Sequence, residues 1–188
     1  FMGYTLITGA CGGLGKAFCR ELIKTDDLFL TGRSAERLNE LKAELRFVNP
    51  QANVIVFQAD LTSEKERENL FSFADENDIT FSGYFAVAGA DIQKAFIKYT
   101  PEKIVFQTRL NFEANIAVCR EVLARREKSL KILCVSSMSG STPMPYFAIY
   151  SATKSALICF YTSLRYEVKD AKITVLAPGG IPPREDVK

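Results

Sequence analysis

The chain alternates between short runs of β-branched and aromatic residues and longer stretches in which apolar residues recur every three to four positions. Tyr4 to Thr8 (YTLIT), Leu28 to Thr31, Asn53 to Phe57 (NVIVF), Phe81 to Val87, Leu130 to Val135 and Lys172 to Leu176 have the length and composition of strands. Five helical segments fall between them. The first runs from about Gly13 to Lys24. The second follows Ser34, a capping residue, and repeats Leu38, Leu41 and Leu45 at helical spacing. The third starts at Ser63, which with Glu66 reads as a capping box. The fourth opens at Thr100-Pro101, where the missing N–H of proline is harmless, and should run unbroken to about Arg125. The fifth spans Tyr150 to about Val168. Strands alternating with helices predict a doubly wound α/β fold: three layers, with six parallel strands covered by helices on both faces. No repeat, low-complexity tract or linker breaks the pattern, so residues 1–188 read as a single domain.

Composition narrows the chemistry mainly by exclusion. Hydrophobic residues make up 47% and charged residues 24%, an ordinary balance for a folded protein. A net charge of +2, with both signs interspersed, gives no footprint for nucleic acid. No apolar run approaches the roughly 20 residues that span a bilayer, so no membrane partner is expected. The five cysteines are odd in number and contain no CxxC pair, which suits reduced thiols in a cytoplasmic protein better than disulfides or zinc. There is no histidine, which removes Ser-His-Asp hydrolases, Cys-His proteases and His-ligated metal sites together.

The first strand leads into Thr8-Gly9-Ala10-Cys11-Gly12-Gly13-Leu14-Gly15 and then a helix. Glycines at such a turn let the backbone approach a pyrophosphate, and the helix N-terminus supplies free N–H groups and a positive dipole. A P-loop is excluded: Gly15-Lys16 is followed by Ala17, and the residue five before Gly15 is Ala10. The GxGxxG fingerprint begins at Gly13-Leu14-Gly15 but meets Phe18 where its last glycine belongs. The turn by itself says nucleotide without naming which.

Further along, the chain carries Asn111 in the fourth helix, Ser137 after the fifth strand, and Tyr150-Ser151-Ala152-Thr153-Lys154, with Ser137 thirteen residues before Tyr150. Thr8-Gly9-xxx-Gly13-Leu14-Gly15 resembles the TGxxxGxG turn of the short-chain dehydrogenase/reductase family, and Tyr150 with Lys154 resembles its YxxxK motif. Ser137 and Asn111 match the family's other two catalytic positions. Asp60, in Ala59-Asp60-Leu61-Thr62, resembles the acid that contacts adenine, and Pro178-Gly179 the turn beside the nicotinamide. The resemblance covers nearly the whole chain in order. It implies a Rossmann-like fold and cofactor contacts from Thr8, Gly9, Gly12, Gly13, Leu14, Gly15, Asp60, Leu61, Ala88, Gly89, Tyr150, Lys154, Pro178, Gly179 and Ile181. It further implies that Lys154 binds the nicotinamide ribose, that Asn111 holds a water in a proton relay, and that the protein is a homodimer or homotetramer through the helices beginning near Pro101 and Tyr150. Phe160 and Tyr161 would sit at that interface or in the core.

The chemistry is coherent without the family. Hydride transfer to a carbonyl leaves an alkoxide that needs a proton. A free tyrosine, with a pKa of about 10, is a poor acid/base at neutral pH. A lysine four residues along a helix lies on the same face and favours the phenolate. Ser137 can donate a hydrogen bond to the substrate oxygen. NAD sites in this fold usually place an acid after the second strand, but here the strand ends Thr31-Gly32-Arg33-Ser34. Arg33 suits a ribose 2′-phosphate, with Ser34 adding a hydrogen bond or capping its helix, so NADP(H) is the expected cofactor. The segment from Met138 to Phe147 is expected to wall the pocket for a small carbonyl or alcohol.

Three departures from the family stand out. Ala86-Val87-Ala88-Gly89 replaces the common NNAG, and Gly180-Ile181-Pro182-Pro183 lacks the usual threonine. The substrate loop, helix and last strand that normally follow would lie beyond Lys188; either the chain is short there or those elements are missing from the sequence as given. The rival reading is a non-catalytic NADP(H)-binding sensor on the same fold.

Overall fold

A computed structural model describes residues 3–180. Each strand puts alternate residues on opposite faces, and both faces are covered, which is why the strands are apolar almost throughout. Six strands form one parallel sheet: β1 (Tyr4–Thr8), β2 (Leu28–Gly32), β3 (Val54–Gln58), β4 (Phe81–Ala86), β5 (Arg126–Val135) and β6 (Lys172–Leu176). Their order is β3-β2-β1-β4-β5-β6, the Rossmann-like doubly wound arrangement, with the reversal between β1 and β4.

On one face, Ile7, Leu28 and Leu30 meet α1 (Gly13–Leu22) and α2 (Ala35–Val48) through Cys19, Leu38, Leu41 and Leu45. On the other, Leu6, Phe29 and Tyr84 meet α3 (Glu64–Glu76), α5 (Ala114–Ala124) and α6 (Ala148–Glu167). Neighbouring residues of one strand, such as Leu6 and Ile7, thus serve separate cores. Tyr161 belongs to the second core, fully buried, while Phe160 packs at its edge.

Three elements differ from the sequence expectation. The Ser63 hydroxyl accepts from Glu66 N as predicted, but the Glu66 carboxylate accepts from Asp60 N at 2.7 Å instead of closing the box on Ser63. It ties the helix to the end of β3. The fourth helix is not regular: α4 (Pro101–Thr108) passes into a π-turn, Arg109–Glu113, and then into α5. A π-turn holds an extra residue that apolar periodicity does not register, and such turns concentrate at functional sites. β5 begins at Arg126 instead of Leu130, because Phe81 pairs with Arg126 and Gly83 with Lys131 across a bulge in which Ser129 takes φ +67. The regular part of β5 is the predicted one.

Asn115 of α5 joins the sheet to α6. Its backbone carbonyl accepts from the Tyr84 hydroxyl at 3.2 Å and its Oδ1 accepts from the Tyr161 hydroxyl. Tyr161→Phe would leave Asn115 Oδ1 buried without that donor, so unfolding stability should fall by about 1–3 kcal/mol. Urea titration should show a lower midpoint at unchanged slope.

Candidate active site

A cleft of about 1180 Å³ opens at the carboxyl ends of β1 and β4, where the strand order reverses. The glycine turn forms its floor. Gly12 caps α1 with no side-chain hydrogen bond, and the first turn holds no acid, so its amides and dipole face the cleft. Gly9 has φ +65, and a Cβ there would lie 2.9 Å from Ala88 N. A Cβ on Gly15 would lie 2.3 Å from Gly9 O. The cradle therefore exists only because both positions lack a side chain. Gly12, Gly13 and Leu14 line its mouth.

Thr8 does not line the cleft. It is buried behind the turn, where its hydroxyl accepts from Val87 N and Ala88 N at 3.2 and 3.3 Å. Its role is to fix the strand-four loop against the glycine turn.

At the far end, Arg33 is exposed and lines the cleft with Ser34. The Ser34 hydroxyl accepts from Arg37 N at 3.2 Å, so it caps α2. Asp60 and Leu61 line the same end, with Asp60 Oδ1 taken by Thr62 N and Thr62 Oγ1. Arg37, which no motif marks, lines the cleft and donates from Nη2 to Cys11 O at 3.0 Å. A cation in the first turn of a helix works against the dipole, and that was the available signal.

The structure brings Ser137, Tyr150 and Lys154 together at the opposite end, with Ala88, Gly89, Pro178 and Gly179. Lys154 is only 4% exposed, and its Nζ donates to Val135 O at 2.8 Å. The same Nζ lies 5.6 Å from the centre of the Tyr150 ring. A Cβ on Gly89 would come within 3.5 Å of it. Burial pulls the Lys154 pKa below its ordinary 10.5. The Tyr150 phenol moves opposite to the expected direction: burial first, and the Asp91 carboxylate second, push it above its ordinary 10, while the Ser137 hydroxyl pulls it down. The Ser137 hydroxyl also accepts from Ser139 N at 3.2 Å, which fixes the turn after β5.

Asn111 lies behind this group, fully buried on the π-turn. Its Oδ1 accepts from Ala90 N at 2.8 Å, and its Nδ2 donates to Ala90 O at 3.0 Å and Thr153 Oγ1 at 3.2 Å. The side chain is committed to protein partners and does not line the cleft. Asp91 and Gln93, also missed, line the cleft beside Tyr150 and Lys154. No periodicity marks them, since they follow β4 in an irregular segment. Of the expected apolar wall, Met138, Met144 and Phe147 line the cleft, whereas Tyr146 is 65% exposed and does not. Ile181 lies outside the described residues.

Known proteins resemble this chain in sequence and in fold. The family model for short chain dehydrogenase matches residues 4–184. The 3-oxoacyl-(acyl-carrier-protein) reductase FabG of Rickettsia felis is 32% identical over 182 residues, covering 94% of this chain and 72% of that protein. The uncharacterized oxidoreductase DltE of Bacillus subtilis is 28% identical over 176 residues, covering 91% of this chain and 68% of DltE. Among solved structures, the alcohol dehydrogenase of Thermococcus sibiricus complexed with 5-hydroxy-NADP superposes with a TM-score of 0.88 at 22% identity, covering 97% of this chain and 78% of that one.

Gly15→Ala should displace the glycine turn, because the new Cβ meets Gly9 O. Fluorescence titration should show nicotinamide dinucleotide binding at least about tenfold weaker, equal to roughly 1.4 kcal/mol.

Proposed function

The chain belongs to the short chain dehydrogenase family of oxidoreductases, and on that premise we propose that it moves hydride between NADP(H) and a carbonyl or alcohol, with Tyr150 as acid/base. The observation that carries the reading is the convergence of Tyr150, Lys154 and Ser137 at one end of a cleft whose other end holds Arg33 and whose floor is a glycine cradle on an uncapped helix. A cradle that any Cβ would fill fits a dinucleotide pyrophosphate.

Gly9, Gly12, Gly13, Leu14 and Gly15 would hold the pyrophosphate. Asp60 and Leu61 would take the adenine end. Ala88, Gly89, Pro178, Gly179 and Ile181 would take the nicotinamide end. Arg33, with Arg37 one helical turn on, presents guanidinium groups suited to a 2′-phosphate. The absence of an acid after β2 favours the same choice. When bound, the nicotinamide supplies or accepts the hydride.

The protein's own residues do the rest. The Ser137 hydroxyl donates to the substrate oxygen and aligns it. The Tyr150 phenol gives its proton to that oxygen in reduction and recovers it in oxidation. The Lys154 ammonium, held by Val135 O, stabilises the phenolate and offsets part of the burial that raises it. Asn111 acts through Ala90 and Thr153 on the same wall. Met138, Met144 and Phe147 offer an apolar surface to a small carbonyl substrate. Residues 1–188 are read as one dinucleotide-binding domain of a cytoplasmic enzyme. A second apolar groove of about 410 Å³, lined by Phe96, Ile104 and Phe112 against Ile149, Ala152 and Ala156, supports a homodimer or homotetramer through α4 and α6.

NADPH oxidation against a carbonyl panel tests the reading. Tyr150→Phe should lose at least about a hundredfold in kcat/KM, within the range of general acid–base catalysis. Equal rates in both proteins would remove Tyr150 from the reaction. Arg33→Ala should weaken NADPH about tenfold or more while leaving NADH unchanged, as loss of a charge-assisted pair requires.

The pH dependence follows from the raised phenol. Reduction uses protonated Tyr150, so its rate should be flat through neutral pH and fall as pH rises through the phenol's value. Oxidation uses the phenolate and should rise over the same range. A reduction rate that instead falls between pH 6 and 8 would contradict the assignment, since about pH 6–8 lies well below an unperturbed phenol.

A further inference from the structure

Gln107 is the buried residue of α4, and it is polar. A buried carboxamide is tolerated where its donor and acceptor are paired. Gln107 Nε2 donates to Ala90 O at 3.2 Å, and its Oε1 lies 3.3 Å from the Tyr99 hydroxyl, which donates to Ile92 O. Asn111, across the π-turn, donates to the same Ala90 O and accepts from Ala90 N. Two carboxamides on one helix therefore grip both polar groups of Ala90, and Tyr99 extends the grip to Ile92. Upstream, Thr8 holds Val87 and Ala88. The residue between the two held peptides is Asp91, which lines the cleft with Gln93 Nε2 donating to its Oδ2 at 3.0 Å.

We propose that Gln107 is a positioning residue for the reaction: with Tyr99 it fixes the Ala90–Ile92 backbone so that the Asp91 carboxylate is held toward the Tyr150 phenol and the Lys154 ammonium. The proposal rests on the reading of Tyr150 as acid/base. The charged and titratable groups around that phenol are Asp91 from the loop after β4 and Lys154 from its own helix, with the Ser137 hydroxyl from the end of β5. Lys154 lines the same cleft as Asp91, and the charges of Asp91 and of Cys134 of β5 act on it. A carboxylate held at this place disfavours the phenolate. It therefore lowers the phenolate fraction that alcohol oxidation uses. Gln107 touches neither substrate nor cofactor space, and its effect passes through Ala90 and Asp91.

The test is an ultraviolet difference titration of the Tyr150 phenol, with Tyr150→Phe in the same background as the reference. Gln107→Met keeps the side-chain length and removes the carboxamide. Asp91→Asn should lower the phenol midpoint by about half a pH unit, a roughly threefold rise in phenolate fraction below the midpoint, as expected for a partly screened charge. Gln107→Met should shift it in the same direction, and the double variant no further than Asp91→Asn alone. Tyr99→Phe, a milder change, should move it the same way and guards against a Gln107 variant that fails to fold.

A Gln107→Met protein that melts earlier at an unchanged midpoint would overturn the proposal, because its role would then be structural only. So would a double variant whose shift is the sum of the two. The titration needs no turnover: the predicted shifts without carbonyl reduction would uphold the positioning and overturn the proposed reaction, and turnover without the shifts would do the reverse.

Discussion

The Lys154 ammonium sits 4% exposed against the Val135 carbonyl, and keeping that charge away from water governs the arrangement around it. The carbonyl belongs to the last residue of β5, so the sheet has to end there and expose its oxygen to the cleft. The Ser136 hydroxyl donates to the Lys154 carbonyl at 2.8 Å, and the same residue is thereby tied to β5 from both its ends. That double tie sets the position of α6 on the sheet. Tyr150 lies one turn earlier on α6, so its place follows from the placement of Lys154. A Cβ on Gly89 would lie 3.3 Å from Asn111 Oδ1 and 3.5 Å from the ammonium, so the loop passes close to both groups.

The opposite wall of the cleft is built with buried amides and a hydroxyl where the opposite side uses a charge. Thr8, Asn111 and Gln107 together hold the chain from Val87 to Ala90, a segment with no secondary structure of its own. Irregular backbone has to satisfy its polar groups one by one, and here side chains from β1 and α4 and from the π-turn do so. The segment then serves two neighbours. Ala88 packs against Gly9 of the glycine turn, and Asp91 lines the cleft with Tyr150 and Lys154. A single strip of chain joins the glycine cradle to the end of the cleft that holds Tyr150 and Lys154.

Most of the architecture was legible because it depends on periodicity. Apolar residues at period two and at helical spacing predicted all six strands and the helices, and the glycine turn announced the cleft. Ser137, Tyr150 and Lys154 were legible as a spaced set, and they do converge. What escaped was set by single residues in irregular chain. The π-turn adds a residue that leaves the apolar pattern of 101–124 intact, so one long helix was expected. Thr8 and Asn111 were read as cofactor and water contacts; their side chains are buried behind the wall, Thr8 bonded to Val87 N and Ala88 N and Asn111 to Ala90 and the Thr153 hydroxyl, and spacing alone does not show such partners. Asp91 and Gln93 follow a strand end, where no pattern ranks one polar residue above another. The direction of the Tyr150 shift also escaped, because the i,i+4 lysine is visible in the sequence whereas the burial and the Asp91 carboxylate that raise the phenol are not.

The central claim is that the buried ammonium makes Tyr150 usable as an acid/base. Titration of the Tyr150 phenol in Lys154→Met, with NADP⁺ bound, measures this most directly. The midpoint should lie at least about one pH unit above that of the wild type, the scale on which an opposite charge at this range acts. Equal midpoints in the two proteins would contradict it.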